Sequence, residues 1–200
     1  VQGTQIVARL ADALGDDGAV LQQAAFSKIT DRLVSAAVRA PEGDQANGIG
    51  AVSFLRGSDT VEFQLFEGEG PAPRRDNDMG IDVEPIGAPA GLSGSYRYRG
   101  AVDLEATLNV IVQATKALHE ALASDVADVW FTGMRRFPLP VRPAEGAEEG
   151  VIAIQGVRML RSGTRYQTLL KVSLQDDAAR EHCAGTVTFA FSSNEALDVH

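Results

Sequence analysis

One helix-forming segment that leads directly into four strand-like segments constrains this chain more than any other feature. Between Gly100 and Leu122, apolar residues recur at three- and four-residue spacing and cover most of the surface, which predicts a helix buried on several sides. Four segments of strand length follow, separated by turn residues: Val129–Phe137, Val151–Leu160, Tyr166–Leu174 and Thr186–Phe191. The C-terminal half is therefore predicted to be a helix followed by an antiparallel meander.

Composition places the chain among globular proteins and argues against nucleic acid as a partner. The 200 residues are 44% apolar and 22% charged, which suits one domain with a substantial core. A net charge of -9 disfavours binding through phosphate neutralisation. No apolar run approaches the ~18 residues that span a bilayer.

Cys183 is the only cysteine, so no intramolecular disulfide or cysteine metal cluster can form, and a reducing cytoplasm is expected. Its position at the start of a predicted strand favours a buried thiol over a nucleophile. No metal or other cofactor is expected.

The N-terminal region predicts two helical pieces within residues 4–38, with apolar positions at helical spacing on both sides of a Gly-Asp-Asp-Gly break. We therefore expect a helical arm over residues 1–40 that packs on a main domain of residues 41–192. Residues 49–66 alternate about a Gly57-Ser58 turn, which predicts a hairpin. Residues 67–94 are expected to form a long loop or lid, and residues 193–200 a flexible tail.

The start of the predicted helix resembles a motif of the beta-hydroxyacyl-ACP dehydratases. That motif has a glycine, a glutamate five positions later, an alanine, and an amide four positions after the glutamate, which here are Gly100, Glu105, Ala106 and Asn109. The stretch Trp130–Phe137 with Pro140 resembles the strand and turn that follow the helix in those enzymes.

The same stretches resemble the long-chain fatty-acyl-CoA thioesterases. Asp103 with Asn109 matches their helix, Arg136 the next strand, and Arg165 the hairpin after it. Both families have the hotdog fold, so the resemblance implies an α+β chain whose antiparallel sheet wraps around one long central helix, here with the N-terminal helical arm as an extension. It also implies a homodimer or higher homo-oligomer, because hotdog sites are built across a two-fold interface.

The resemblance implies thioester hydrolysis on an acyl-CoA or acyl-carrier-protein substrate. Glu105 would act as base or nucleophile, Asn109 would position the water or carbonyl, and backbone amides near Gly100 would polarise the thioester oxygen. Asp103 is a candidate for a direct role or for stabilising the first helical turn. Tyr96 and Tyr98 could hydrogen-bond the thioester.

Arg136 and Arg165 complete the candidate substrate-binding set, since arginine suits the phosphates of coenzyme A. Two alternatives stay open. One is a dehydratase-like or isomerase-like enzyme, although the segment Gly94–Arg99 lacks the histidine that dehydratases place before the glycine. The other is a non-catalytic acyl-binding protein.

Overall fold

The computed structural model describes residues 2–15, 19–28, 30, 32–38, 48–72, 81–99, 103–138, 149–175, 181–195 and 197. These residues contain two helices and ten strands. In chain order they are α1 (Gln2–Leu14), β1 (Val20–Phe26), β2 (Arg32–Val38), β3 (Gly48–Arg56), β4 (Asp59–Pro71), β5 (Asp82–Pro85), β6 (Gly94–Arg99), α2 (Leu104–Glu120), β7 (Ala127–Pro138), β8 (Glu149–Ser162), β9 (Arg165–Gln175) and β10 (Glu181–Ser192).

All ten strands form one antiparallel sheet in the order β2-β4-β3-β1-β7-β10-β9-β8-β6-β5. Strands β1 and β7 join its two halves, with Leu21 opposite Phe137 and Ala24 opposite Met134. Helix α1 precedes the four strands of one half, α2 lies in the chain between β6 and β7 of the other half, and the two helices contact each other. The core is therefore continuous through both halves and has two helices where the sequence predicted one.

Helix α2 forms where the apolar pattern predicts it. Asp103 caps its N-terminus, since the carboxylate accepts a hydrogen bond from the Ala106 backbone N–H at 2.7 Å. Leu108, Ile111 and Leu118 are fully buried. Burial of most of this helix agrees with the expectation that it lies within the sheet's core.

Strands β1 (Val20–Phe26) and β2 (Arg32–Val38) contradict the second predicted helical piece. The buried positions of β1, Leu21 and Ala24, are three residues apart because the register of β1 against β3 shifts between Leu21 and Gln23. A bulge of this kind lengthens the two-residue period of a strand to three. The spacing that predicted the helix ran from Phe26 to Leu33 and Val34, so it combined the end of β1 with the start of β2. The N-terminal region is thus one helix and two strands of the main sheet.

The predicted loop at residues 67–94 is also partly strand. Strand β4 continues to Pro71, and β5 pairs with β6 at the sheet edge, with Val83 opposite Tyr98. The sequence did not predict these strands, because Gly and Pro are frequent in this segment and its apolar residues do not alternate. The hairpin predicted at residues 49–66 is confirmed, with β3 and β4 paired about the Gly57-Ser58 turn.

The four C-terminal strands match the predicted segments, and β8, β9 and β10 pair with one another in chain order, as a meander requires. β7 departs from the predicted meander, because it pairs with β1 and β10 and is separated from β8 in the sheet. Beyond them, residues 193–195 are held to the domain: Asp125 accepts hydrogen bonds from the Ser193 hydroxyl at 2.6 Å and from the Asn194 backbone N–H at 2.6 Å. The described part of the predicted tail is therefore anchored. In the described ranges, no helix is long and apolar enough to cross a membrane.

Candidate functional site

A cavity of about 420 Å³ lies between the two helices and the middle of the sheet. This volume is within the range typical of small-molecule sites. Aromatic and aliphatic side chains dominate its wall, with Phe26 packed on Phe131 at 5.6 Å between ring centroids and Phe131 on Phe189 at the same distance. The lining residues are Gly3, Ile6, Phe26, Lys28, Thr30, Val34, Ile49, Val112, Lys116, Val129, Trp130, Phe131 and Phe189.

One face of α2 leads into this cavity. Val112 and Lys116 line it, and Asn109 and Glu105 precede Val112 on the same face at three- and four-residue spacing. The carboxylate and amide singled out from the sequence therefore lie on the helix face that forms the cavity wall.

Asn109 also joins the two helices. Its Oδ1 accepts a hydrogen bond of 3.0 Å from the Thr4 hydroxyl of α1, and both residues are buried, at 0% exposure for Thr4 and 7% for Asn109. Gly3, beside Thr4, lines the cavity. The Thr4–Asn109 pair thus fixes the spacing of the helices next to the cavity.

Asp103 and Glu105 have different surroundings at the start of α2. Asp103 is exposed and engaged in the cap, while its backbone oxygen accepts a bond from the Thr107 hydroxyl at 2.7 Å. Glu105 is half-buried. Neither residue lines the cavity, which meets α2 two turns beyond its N-terminus, at Val112.

A polar cluster lies at one side of the same cavity. Glu67 on β4 accepts hydrogen bonds from the Lys28 ammonium at 2.8 Å and from the Thr30 hydroxyl, and both donors line the cavity. The bond from Lys28 lowers the pKa of Glu67, and the bond from Thr30 adds to this. Glu67 is therefore a stable carboxylate at neutral pH.

A second cavity, of about 260 Å³, adjoins the first and shares Ile6 and Val34 with it. It lies between α1 and the edge strand β2. Its other lining residues are Gln5, Arg9, Leu10, Arg32, Leu33, Ala36 and Ala72.

Of the predicted substrate-binding residues, the four that the structure describes line neither cavity. Tyr96 and Tyr98 are buried in the core on β6, where burial raises the pKa of Tyr96. Arg136, which has a φ of 60°, and Arg165 are exposed on β7 and β9. Gly100 and Pro140 lie outside the described residues, so the proposed role of amides near Gly100 stays a prediction.

His119, near the end of α2, is fully buried beside Phe189 and Phe191. Its Nδ1 lies 2.7 Å from the Thr115 carbonyl oxygen, which can only accept, so Nδ1 carries the proton and Nε2 accepts from the Thr168 hydroxyl at 2.7 Å. Burial lowers the pKa of His119 to about 4. It is a neutral core histidine.

The Cys183 thiol is equally unsuited to chemistry. It is buried, and burial raises its pKa to about 12. The interpretation of Cys183 as a small buried residue is confirmed.

Sequence reasoning missed the cavity itself. Phe26 and Phe131 read as ordinary core residues, and Lys28, Thr30 and Glu67 lie in segments assigned to a helix and a loop. Only the pairing of β2 with β4, with Val34 opposite Glu67, brings these residues together. No local sequence signal encodes such a contact.

The sequence matches no protein-family model and no curated protein. Solved structures do match. The tesB protein of Mycobacterium avium subs paratuberculosis has a TM-score of 0.56 at 10% identity, over 96% of this chain and 87% of that one. A conserved protein of unknown function with a hot dog fold from Alicyclobacillus acidocaldarius has a TM-score of 0.51 at 10% identity, over 96% and 87%.

The dehydratase domain of RzxB from Pseudomonas fluorescens has a TM-score of 0.50 at 15% identity, over 95% of this chain and 83% of that chain. Identities this low show the shared fold and nothing about the reaction. The chain has the hotdog fold predicted from its helix motif, with two helices on one continuous sheet.

Proposed function

We propose that this protein, which has the hotdog fold, hydrolyses acyl thioesters and binds the acyl chain in the 420 Å³ cavity. The supporting observation is that Glu105 and Asn109 lie on the same face of α2 as Val112 and Lys116, which line the cavity, with Asn109 about one turn and Glu105 about two turns before Val112. An apolar cavity suits an acyl chain, and a carboxylate beside an amide suits attack on its carbonyl.

In the proposed mechanism, Glu105 takes a proton from a water molecule as the water oxygen attacks the thioester carbonyl carbon. The tetrahedral intermediate collapses, the carbon–sulfur bond breaks, and the thiolate leaves with a proton returned by Glu105. Asn109 positions the water or the carbonyl. Its hydrogen bond to Thr4 holds the Asn109 side chain in one orientation. Because the side chain is already ordered, it loses little rotational freedom when the substrate reacts, which favours catalysis.

Dehydration of a beta-hydroxyacyl thioester receives less support from the site. That reaction needs a base for the α-proton and an acid for the leaving hydroxyl. Among the described side chains, the only imidazole is His119, which lies behind the lining residue Phe189, is fully buried and has a pKa of about 4.

Hydrolysis is tested with a panel of acyl-CoAs and acyl-carrier-protein thioesters from short to long chain, with thiol release as the readout. We expect turnover above background for at least one chain length. If thioesters bind but none of them releases thiol, the protein is a non-catalytic acyl-binding protein and the hydrolase proposal is wrong. Hydration of a trans-2-enoyl thioester would instead favour the dehydratase-like enzyme.

Glu105→Gln tests the assigned base. We expect kcat to fall by about 100-fold or more, the range typical of losing a general base, with KM little changed. Glu84→Gln is the matched control, because Glu84 is an exposed carboxylate on β5 that lines neither cavity. Equal activity of the two variants would refute the role of Glu105.

A homodimer stays a prediction. Since α1 and α2 already pack together within one chain, we propose that a single chain holds a complete site and that dimerisation is dispensable for turnover. Light scattering on dilution, with activity measured in parallel, tests this. Loss of specific activity as dimers dissociate would contradict it.

A further inference from the structure

The charged side chains that line the two cavities are all positive, although the whole chain carries a net charge of -9. Lys28 and Lys116 line the larger cavity, and Arg9 and Arg32 line the smaller. Within the described ranges, no acidic residue lines either one. A local excess of positive charge in an acidic protein is evidence for an anionic ligand.

The two lysines are already neutralised. Lys28 forms a salt bridge with Glu67 at 2.8 Å, and Lys116 pairs with Glu120 at 3.6 Å. Neither Arg9 nor Arg32 forms a salt bridge with a described carboxylate, although the charge of Arg32 helps lower the pKa of Glu67. The two guanidinium groups are therefore the cations available to a ligand.

The two cavities are also close enough to each other for one ligand to occupy both. Ile6 and Val34 belong to the wall of each, so the cavities adjoin, and a ligand whose apolar chain fills the larger one can place its other end near Arg9 and Arg32. Arginine binds phosphate through two parallel N–H donors, which gives it both affinity and orientation.

We propose that Arg9 and Arg32 bind the phosphates of a coenzyme A thioester whose acyl chain fills the larger cavity. The identity of the ligand rests on the proposed function, and the position of the anion site rests on the arginines themselves. An acyl carrier protein fits less well, because carrier proteins of acidic charge would be repelled by a chain of net charge -9.

Binding is measured with non-hydrolysable thioethers, S-octyl-CoA and S-octyl-pantetheine, which share the alkyl chain and differ in the phosphates. Isothermal titration of the double variant Arg9→Gln/Arg32→Gln should show Kd for S-octyl-CoA raised about tenfold, equivalent to about 1.4 kcal/mol. Kd for S-octyl-pantetheine should stay within about twofold, since removal of exposed charges alone has small effects. Added salt should weaken S-octyl-CoA binding to wild type but scarcely affect the double variant.

Arg158→Gln is the matched control, because Arg158 is an exposed arginine on β8 that lines neither cavity. It should leave both Kd values unchanged. An unchanged Kd for S-octyl-CoA in the double variant would overturn the proposal, as would an equal loss for both thioethers. Tighter binding of wild type to octanoyl-carrier protein than to octanoyl-CoA would also overturn it.

The outcomes separate this inference from the proposed hydrolysis. Arginine-dependent binding of S-octyl-CoA without thiol release from any acyl-CoA would leave the anion site standing and remove the hydrolase. Thiol release from an acyl-CoA, together with an unchanged Kd for S-octyl-CoA in the double variant, would leave the hydrolase standing and remove the anion site.

Discussion

The Thr4 hydroxyl donates a hydrogen bond of 3.0 Å to Asn109 Oδ1 across 105 positions of sequence, and this buried pair joins α1 to α2 beside the larger cavity. A buried carbonyl oxygen that loses its donor keeps the cost of desolvation. The pair therefore contributes to stability and to the geometry of the site at once.

Thr4→Val removes the hydroxyl at nearly constant volume. We expect the free energy of unfolding to fall by about 1–3 kcal/mol, measured by urea denaturation, and kcat for thioester hydrolysis to fall with it because Asn109 loses its fixed orientation. Thr4→Ser keeps the donor and should retain most of the activity. Equal kcat values in the two variants would show that the bond does not position Asn109.

Protonation of His119 should destabilise the protein in acid. Its pKa is about 4 in the folded chain and 6.5 ordinarily, so the unfolded state takes up the proton first as the pH falls. The contribution is fully present above about pH 6.5 and is lost progressively between about 6.5 and 4, amounting to about 3 kcal/mol. His119→Gln should have a flatter stability profile over this window. A profile as steep as that of the wild type would assign the acid sensitivity to other groups.

Asp103→Asn separates capping from catalysis. Asparagine caps a helix as well as aspartate does, so the variant should lose only the interaction of the charge with the helix dipole, about 0.3–1 kcal/mol. Thioester turnover should stay near the wild-type rate. A collapse of kcat with thermal stability preserved would instead give the Asp103 carboxylate a direct catalytic role.

Gly133→Ala should weaken the pairing of β1 with β7, which joins the two halves of the sheet. A Cβ at Gly133 would lie 2.5 Å from the backbone oxygen of Ala24 on the neighbouring strand, and neither backbone can move freely. We expect a loss of about 1–3 kcal/mol in the free energy of unfolding. Gly94→Ala is the control, since its Cβ would meet only ordinary contacts of 3.4 Å or more. Similar losses in both variants would show that the close approach to Ala24 is not the cause.

Val112→Phe should shorten the preferred acyl chain, because Val112 is in the wall of the larger cavity and a phenyl ring would fill part of it. The ratio of kcat/KM for long over short acyl-CoAs should fall about tenfold, comparable to one or two methylenes losing their apolar contact. Val157→Phe, at an exposed position on β8, should leave the ratio unchanged. An unchanged ratio in Val112→Phe would place the acyl chain elsewhere.

The C-terminal half was predictable because its signals are local. Asp103 caps a segment whose apolar positions repeat with helical period, and the later strands alternate or run apolar between turn residues. The spacing of Glu105, Asn109 and Val112 also fixed which side chains share a helix face. These features depend on neighbours within a few residues, so the sequence by itself determined them.

Tertiary structure decided the rest. The apolar spacing of Phe26, Leu33 and Val34 fits a helix, so only the pairing of β1 with β3 and β7 and of β2 with β4 identifies these segments as strands. The contact of Thr4 with Asn109, the closeness of Arg9 to Arg32 and the cavity between the helices all join residues distant in sequence. Such contacts are set by packing of whole elements, which no local pattern of residues encodes.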